Sequence, residues 1–154
     1  MDKKDFADSN LRELGYEVVI SLVERIPKLF EKDVVRMKEF LERLFKYSIE
    51  MDKEIDQEWC TPKTESYFEE EFIPEENVST SLSILVRMVE CLGKKFFLPY
   101  VSEIVMQLIQ NENDWRYKYV AFMTIAQIVE FIDDMQNIEN LLPVIKSLII
   151  DYFH

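Results

Sequence analysis

Glycine and histidine are almost missing from this chain. Its 154 residues contain two glycines and one histidine, with two cysteines and five prolines. So few glycines leave little material for tight hairpin turns, which argues for helices. The one histidine, His154, is the last residue, which nearly excludes Ser–His and Cys–His nucleophile pairs. No glycine-rich phosphate loop occurs. Cys60 and Cys91 are too few for a disulfide framework and lack metal-ligand spacing, so a reduced, intracellular protein is the simplest expectation. No run of eighteen apolar residues occurs, and the opening "MDKKDFADSN" has no apolar centre of the kind a secretory signal carries. The expectation is a protein that is not an enzyme, with no catalytic residues, no cofactor and no metal.

Positive charge is also short. Eighteen Lys and Arg face thirty Asp and Glu, a net charge of −12. Such a surface repels phosphate backbones and anionic lipid, so neither nucleic acid nor membrane is an expected partner. It attracts basic proteins instead.

What is present is helical periodicity with one interruption. Apolar residues make up 48% of the chain, enough for a core. Helix signals fall at about 9–26, 33–50, 78–92, 98–110, 114–132 and 138–152. Asp8 or Ser9, Asp33 and Asp114 can cap helix starts. Gly93 can take a left-handed conformation after the third helix. Pro99 and Pro143 suit first turns, and Pro27 should stop the first helix. In the third helix Leu82, Ile84, Leu85, Val86, Met88, Val89 and Leu92 surround much of the cylinder, so that helix needs covering on several sides.

Three short segments share the order apolar-Val-Glu-x-apolar: "LVERI" (Leu22–Ile26), "MVECL" (Met88–Leu92) and "IVEFI" (Ile128–Ile132). Glu90 and Glu130 are 40 residues apart, while Glu24 and Glu90 are 66 apart. The excess is close to the length of the stretch "EIDQEWCTPKTESYFEEEFIPEEN" (Glu54–Asn77). Without that stretch the period is about 40 residues, in the range of HEAT and armadillo repeats. The expected fold is all-α, an α-α superhelix (HEAT-repeat solenoid) of about three helix pairs with an acidic inter-repeat insertion. The expected divisions are 1–51, 78–112 and 113–154 as repeats and 52–77 as the insertion loop. A fragment cut from such a stack would leave apolar faces bare at its ends, where natural arrays place polar caps, through Leu11, Val18 and Val19 at one and Leu148, Ile149 and Phe153 at the other.

From Glu50 to Glu76 there are eleven acids and two bases, so this segment cannot fold alone. Trp59, Tyr67, Phe68 and Phe72 can pin it along a groove while its carboxylates meet a basic partner. The alternation Asp52, Glu54, Asp56, Glu58 is like that of a calcium loop, but the required glycine is missing and Lys63 stands where the closing glutamate belongs. Trp115, Arg116 and Lys118 form an aromatic-basic cluster, but the surrounding negative charge argues against a nucleic-acid site.

The stretch "LGKKFFLPYVSEIVMQLIQNENDWRYKYVAFMTIAQIVEF" (Leu92–Phe131) resembles the importin-β (karyopherin-β) superfamily of nuclear transport receptors. It is most similar to the karyopherin beta-three, or importin-five, branch. The matching elements are Leu98–Pro99, Gln110–Asn111, Asp114–Trp115 and Arg116–Tyr117–Lys118, with Glu58–Trp59 inside the acidic insertion. The resemblance covers about Met51 to Phe131. It implies an internal fragment of a much longer nuclear import receptor that shuttles between cytoplasm and nucleus through the nuclear pore. Its partners would be basic cargo proteins with nuclear localisation signals, Ran GTPase and nucleoporins. The candidate partner-binding residues are Glu54, Asp56, Glu58, Trp59, Glu69, Glu70 and Glu71 in the insertion, and Glu103, Gln107 and Gln110 on the helix that would line the concave face. Two other readings stand beside this one. They are a generic HEAT or armadillo scaffold of the phosphatase-regulatory kind, and a small acidic histone-chaperone-like protein.

Overall fold

The computed structural model describes residues 3–51 and 76–131, and within them the chain is helical, with no strand. The segment 52–75 and everything beyond Phe131 lie outside the described residues. With them go seven candidate residues, Glu54, Asp56, Glu58, Trp59, Glu69, Glu70 and Glu71, and the helix expected at 138–152.

Helix α1 (Lys3–Arg25) is followed by a short α2 (Pro27–Lys32) and then by α3 (Val34–Ile49). Pro27 acts as expected. It cannot donate into the preceding turn, so α1 ends at Arg25 and the proline restarts the chain as the first residue of α2. The sequence pattern had suggested no separate helix at this point. Asp8 and Ser9 are not caps, because α1 begins upstream of both. Asp33 does cap α3, accepting a hydrogen bond from the Arg36 N–H at 3.3 Å.

After the undescribed segment come α4 (Glu76–Leu92), α5 (Lys94–Ile109) and α6 (Trp115–Ile128), the last continued by a 3₁₀ turn at Val129–Phe131. Helix α4 starts two residues before the expected Val78, so Glu76 and Asn77 belong to the helix and not to the insertion. Gly93 joins α4 to α5 alone. Its φ of +82° is one that side chains rarely adopt, and it lets the chain turn within a single residue. Helix α5 therefore begins at Lys94 rather than Leu98, and Pro99 falls in the second turn instead of the first. The ring leaves the Lys95 carbonyl without its helical donor. Both residues are exposed, so water can take that place.

Helix α4 is the centre of the packing and touches α1, α2, α3, α5 and α6. Its buried residues, Val78, Leu82, Ile84, Leu85, Met88, Val89 and Leu92, point in several directions, as the sequence pattern required. Around them gather Ile20 and Val23 of α1, Met37, Leu41, Leu44 and Phe45 of α3, Phe97, Val101 and Val105 of α5, and Val120, Ala121 and Ile125 of α6. Where α3 approaches α4, the interface carries two small hydroxyls. Ser48 donates to the Leu44 carbonyl at 3.0 Å, and Ser81 to the Asn77 carbonyl at 2.7 Å. Each hydroxyl is satisfied by its own helix, so the two backbones can come close without a stranded polar atom.

Candidate functional site

Helix α5 presents one polar side. Glu103, Gln107 and Gln110, with Met106 among them, recur at helical spacing and are all exposed, while Phe97, Val101, Val105 and Leu108 face inward. One turn before Glu103 the same face carries Pro99. The structure thus brings together the three candidate residues outside the insertion. On α3, Val35, Glu39, Glu42 and Lys46 form a second exposed row. The two helices are tied by Lys38, whose ammonium meets Glu103 at 3.0 Å and lies 5.0 Å from the centre of the Tyr100 ring. This pairing went unforeseen in the sequence, because Lys38 and Glu103 are 65 residues apart. It gives Glu103 a cation already in place, so a basic ligand there must displace or share Lys38. Gln107 and Gln110 offer amide donors and acceptors without that competition.

The entry and exit of the insertion are held at one place. Asn77 donates from Nδ2 to the Glu50 carbonyl at 2.9 Å, and Arg116 donates from Nη1 to the Met51 carbonyl at 2.8 Å. Arg116 is itself fixed by Asp114, with contacts of 3.0 Å at Nε and 2.6 Å at Nη2. The same carboxylate caps α6 by accepting from the Arg116 backbone N–H at 3.1 Å. Asp114 therefore orients a base that reaches across from α6 to the end of α3. The charge-assisted bonds to Asp114 raise the Arg116 pKa, which keeps the guanidinium charged. The ring of Trp115 meets that of Tyr119 edge-on at 6.0 Å, inside α6.

A second arginine joins α4 to α1. Arg87 donates to Glu24 at 2.7 Å and to both oxygens of Glu17 at 2.8 and 3.0 Å. These bonds raise the Arg87 pKa and lower that of Glu24. Cys91 lies nearby, half-buried, and loss of hydration together with the charges of Glu24 and Glu90 pushes its thiol up. A thiol shifted in that direction is a poor nucleophile. Helix α1 also meets α3 through an aromatic-polar group: the Tyr16 ring is 5.8 Å from Phe40 and 5.3 Å from Tyr47, Arg12 lies over Tyr47, and Arg12 pairs with Glu50.

Among the described residues no group of three His, Cys, Asp or Glu side chains is placed to hold a metal ion, and no helix is long and apolar enough to cross a membrane. No protein-family model matches the chain, and no solved structure matches it.

Proposed function

We propose that the chain is a HEAT-type segment of an importin-β-like nuclear transport receptor, which binds basic cargo and responds to Ran GTPase. One observation carries this reading beyond an unspecified helical domain. Helices α1, α4 and α6 are neighbours in succession, and α3 neighbours α5 while also meeting α6. That adjacency is what a two-layer stack of helix pairs requires. The Asp-Trp-Arg element on which the family resemblance rests is ordered here, with Asp114 fixing Arg116 and Arg116 reaching from α6 to the end of α3. In this reading α3 and α5 form the inner layer, with Glu39, Glu42, Gln107 and Gln110 facing the cargo. The insertion leaves and re-enters the stack at Glu50–Asn77 and adds its carboxylates to the same negative field. The segment binds and releases and does no chemistry.

The test measures binding of a lysine-rich import-signal peptide and of GTP-loaded Ran over a salt series. Three forms are compared: the unaltered chain, a variant with 54–74 replaced by a short Gly-Ser linker, and the triple variant Glu103→Gln, Gln107→Ala, Gln110→Ala. The linker variant keeps Asn77, so its α4 start and its contact with Glu50 stay intact. Affinity should fall in both variants, and the salt dependence should flatten most when the insertion is gone. Binding of both ligands that is unchanged in affinity and salt slope, in both variants, sinks the reading.

A further inference from the structure

Lys38 joins the two polar rows of α3 and α5. Its ammonium meets Glu103 Oε2 at 3.0 Å and stands 5.0 Å from the centre of the Tyr100 ring. Tyr100 and Glu103 are neighbours at i and i+3 on α5, so one cation can serve both. Phe96 stands nearly perpendicular to the Tyr100 ring, with centroids 5.7 Å apart, so the ring has a support that does not involve Lys38. A carboxylate and an aromatic ring sharing one ammonium form a receptor for a cationic side chain. In this chain the occupant is one of its own lysines. The tie is also unlike the other ion pairs between helices. Arg87 donates three hydrogen bonds to two carboxylates, and its side chain is 28% exposed. Lys38 donates a single hydrogen bond to Glu103, and the two side chains are 40% and 55% exposed.

We propose that Tyr100 and Glu103 form a subsite for a cationic side chain of an incoming basic peptide, and that Lys38 is a resident substitute which the peptide displaces. The inference rests on the cargo reading and specifies one subsite of it and how that subsite is held in check. Release of Lys38 is cheap. A surface pair of this exposure contributes little, and a lysine ammonium on its flexible stem is well hydrated once free. The charges around it favour exchange. Glu39, Glu42 and Glu103 lie on the two rows, and Lys38 cancels part of their attraction for a basic ligand while it stays in place. The resident lysine also adds selectivity. A ligand that pushes Lys38 aside without supplying a cation of its own leaves Glu103 unpaired, whereas a basic one replaces the contact it breaks.

Fluorescence anisotropy of a labelled lysine-rich import-signal peptide, titrated with the whole chain at physiological salt, provides the test. Lys38→Met keeps much of the stem and removes the ammonium, so it should tighten binding by about two- to fivefold, the worth of a surface ion pair. Lys46→Met removes the same charge from the same helix and reads the change in net charge, which salt screens; it should tighten binding by less than about 1.5-fold. In a Glu103→Gln background Lys38→Met should bring no gain. Tyr100→Leu should weaken binding by about two- to fivefold, and Tyr100→Phe should restore it, because the ring face and not the hydroxyl takes the cation. Circular dichroism checks each fold; should Tyr100→Leu disturb it, the Lys38 and Glu103 variants decide alone. A gain from Lys38→Met no larger than that from Lys46→Met, or one that persists without the Glu103 carboxylate, overturns the inference. The cargo reading survives that result if the triple variant at Glu103, Gln107 and Gln110 still loses affinity. A peptide that binds no form of the chain overturns both.

Discussion

Helices α4 and α1 are built from similar material and meet different fates. Both carry apolar residues on more than one side, and both end in an apolar-Val-Glu element, "MVECL" and "LVERI". In α4 the Met88, Val89 and Leu92 of that element are all buried. In α1 only Val23 is buried, and Leu22 and Ile26 face solvent. The difference lies in the neighbours. Among the described residues, helix α4 has helices on several sides, whereas α1 has the core on one side only. Apolar content alone thus measures how much cover a helix calls for, and only packing shows how much it receives.

The largest expected effect separates these two environments directly. Leu85→Ala opens a cavity at the centre of α4 and should lower stability by about 2–5 kcal/mol, seen as a fall in the denaturant midpoint. Val18→Ala on the outer side of α1 should change stability by no more than about 0.5 kcal/mol, with alanine's better helix propensity acting against any loss. Similar losses at the two sites would mean that the outer stripe of α1 is covered within the single chain.

Much of this contrast was legible in the sequence, and the part that was not has a physical cause. The all-round apolar pattern of α4 marked it as a helix that needs cover on several sides, and Asp33, Asp114 and Pro27 marked real boundaries, because caps and proline act through bonds within a few residues. Leu11 and Val18 were expected on a bare face and are exposed, while Val19 is half-buried because it lies a quarter-turn nearer the core. The start of α5 was misjudged, since proline favours first turns but tolerates a second turn that faces water. The short α2 was missed because six residues carry too little periodicity to register. Of the candidate site, the common face of Glu103, Gln107 and Gln110 followed from spacing. The Lys38 partner of Glu103, the Arg87 bridge and the hold of Arg116 on Met51 could not be seen, because each joins residues more than sixty positions apart.

Two arginines extend the comparison to the borders of α4's surroundings. Arg116, on α6, is 21% exposed and its partner Asp114 13%. Arg87, on α4, is 28% exposed, but its partners on α1 are more open to water. The better shielded brace should matter more. Asp114→Ala removes the cap of α6 and frees Arg116 together, so a loss at the upper end of the usual 0.5–2 kcal/mol for a cap, about 2 kcal/mol, is expected in thermal or denaturant unfolding. Asp114→Asn keeps a capping oxygen and should lose visibly less. Equal losses would mean that the charge on Arg116 adds nothing to the brace.

The smallest expected effect is that of Arg87→Met, and its signature is pH dependence rather than size. Methionine keeps much of the apolar stem while removing the bonds to Glu17 and Glu24, which are solvent-screened and so weak in themselves. The sign follows from Glu24. Its carboxyl, ordinarily near 4.5, is lowered in the folded chain by the hydrogen bond from Arg87. A lowered carboxylate contributes stability that is fully present above its unfolded value and is lost as pH falls through the folded one. The stability gap between the unaltered chain and Arg87→Met should therefore be constant from neutral pH down to about 5 and should narrow in more acid solution. Added salt at neutral pH should narrow it as well, since the pairs lie at the surface. Denaturant titrations at pH 7, 5 and 3.5, each at low and high salt, provide the measurement. A gap that persists unchanged at pH 3.5 would show that Arg87 joins α4 to α1 by packing of its stem and not by charge. The outer side of the core would then differ from the inner only in degree of burial.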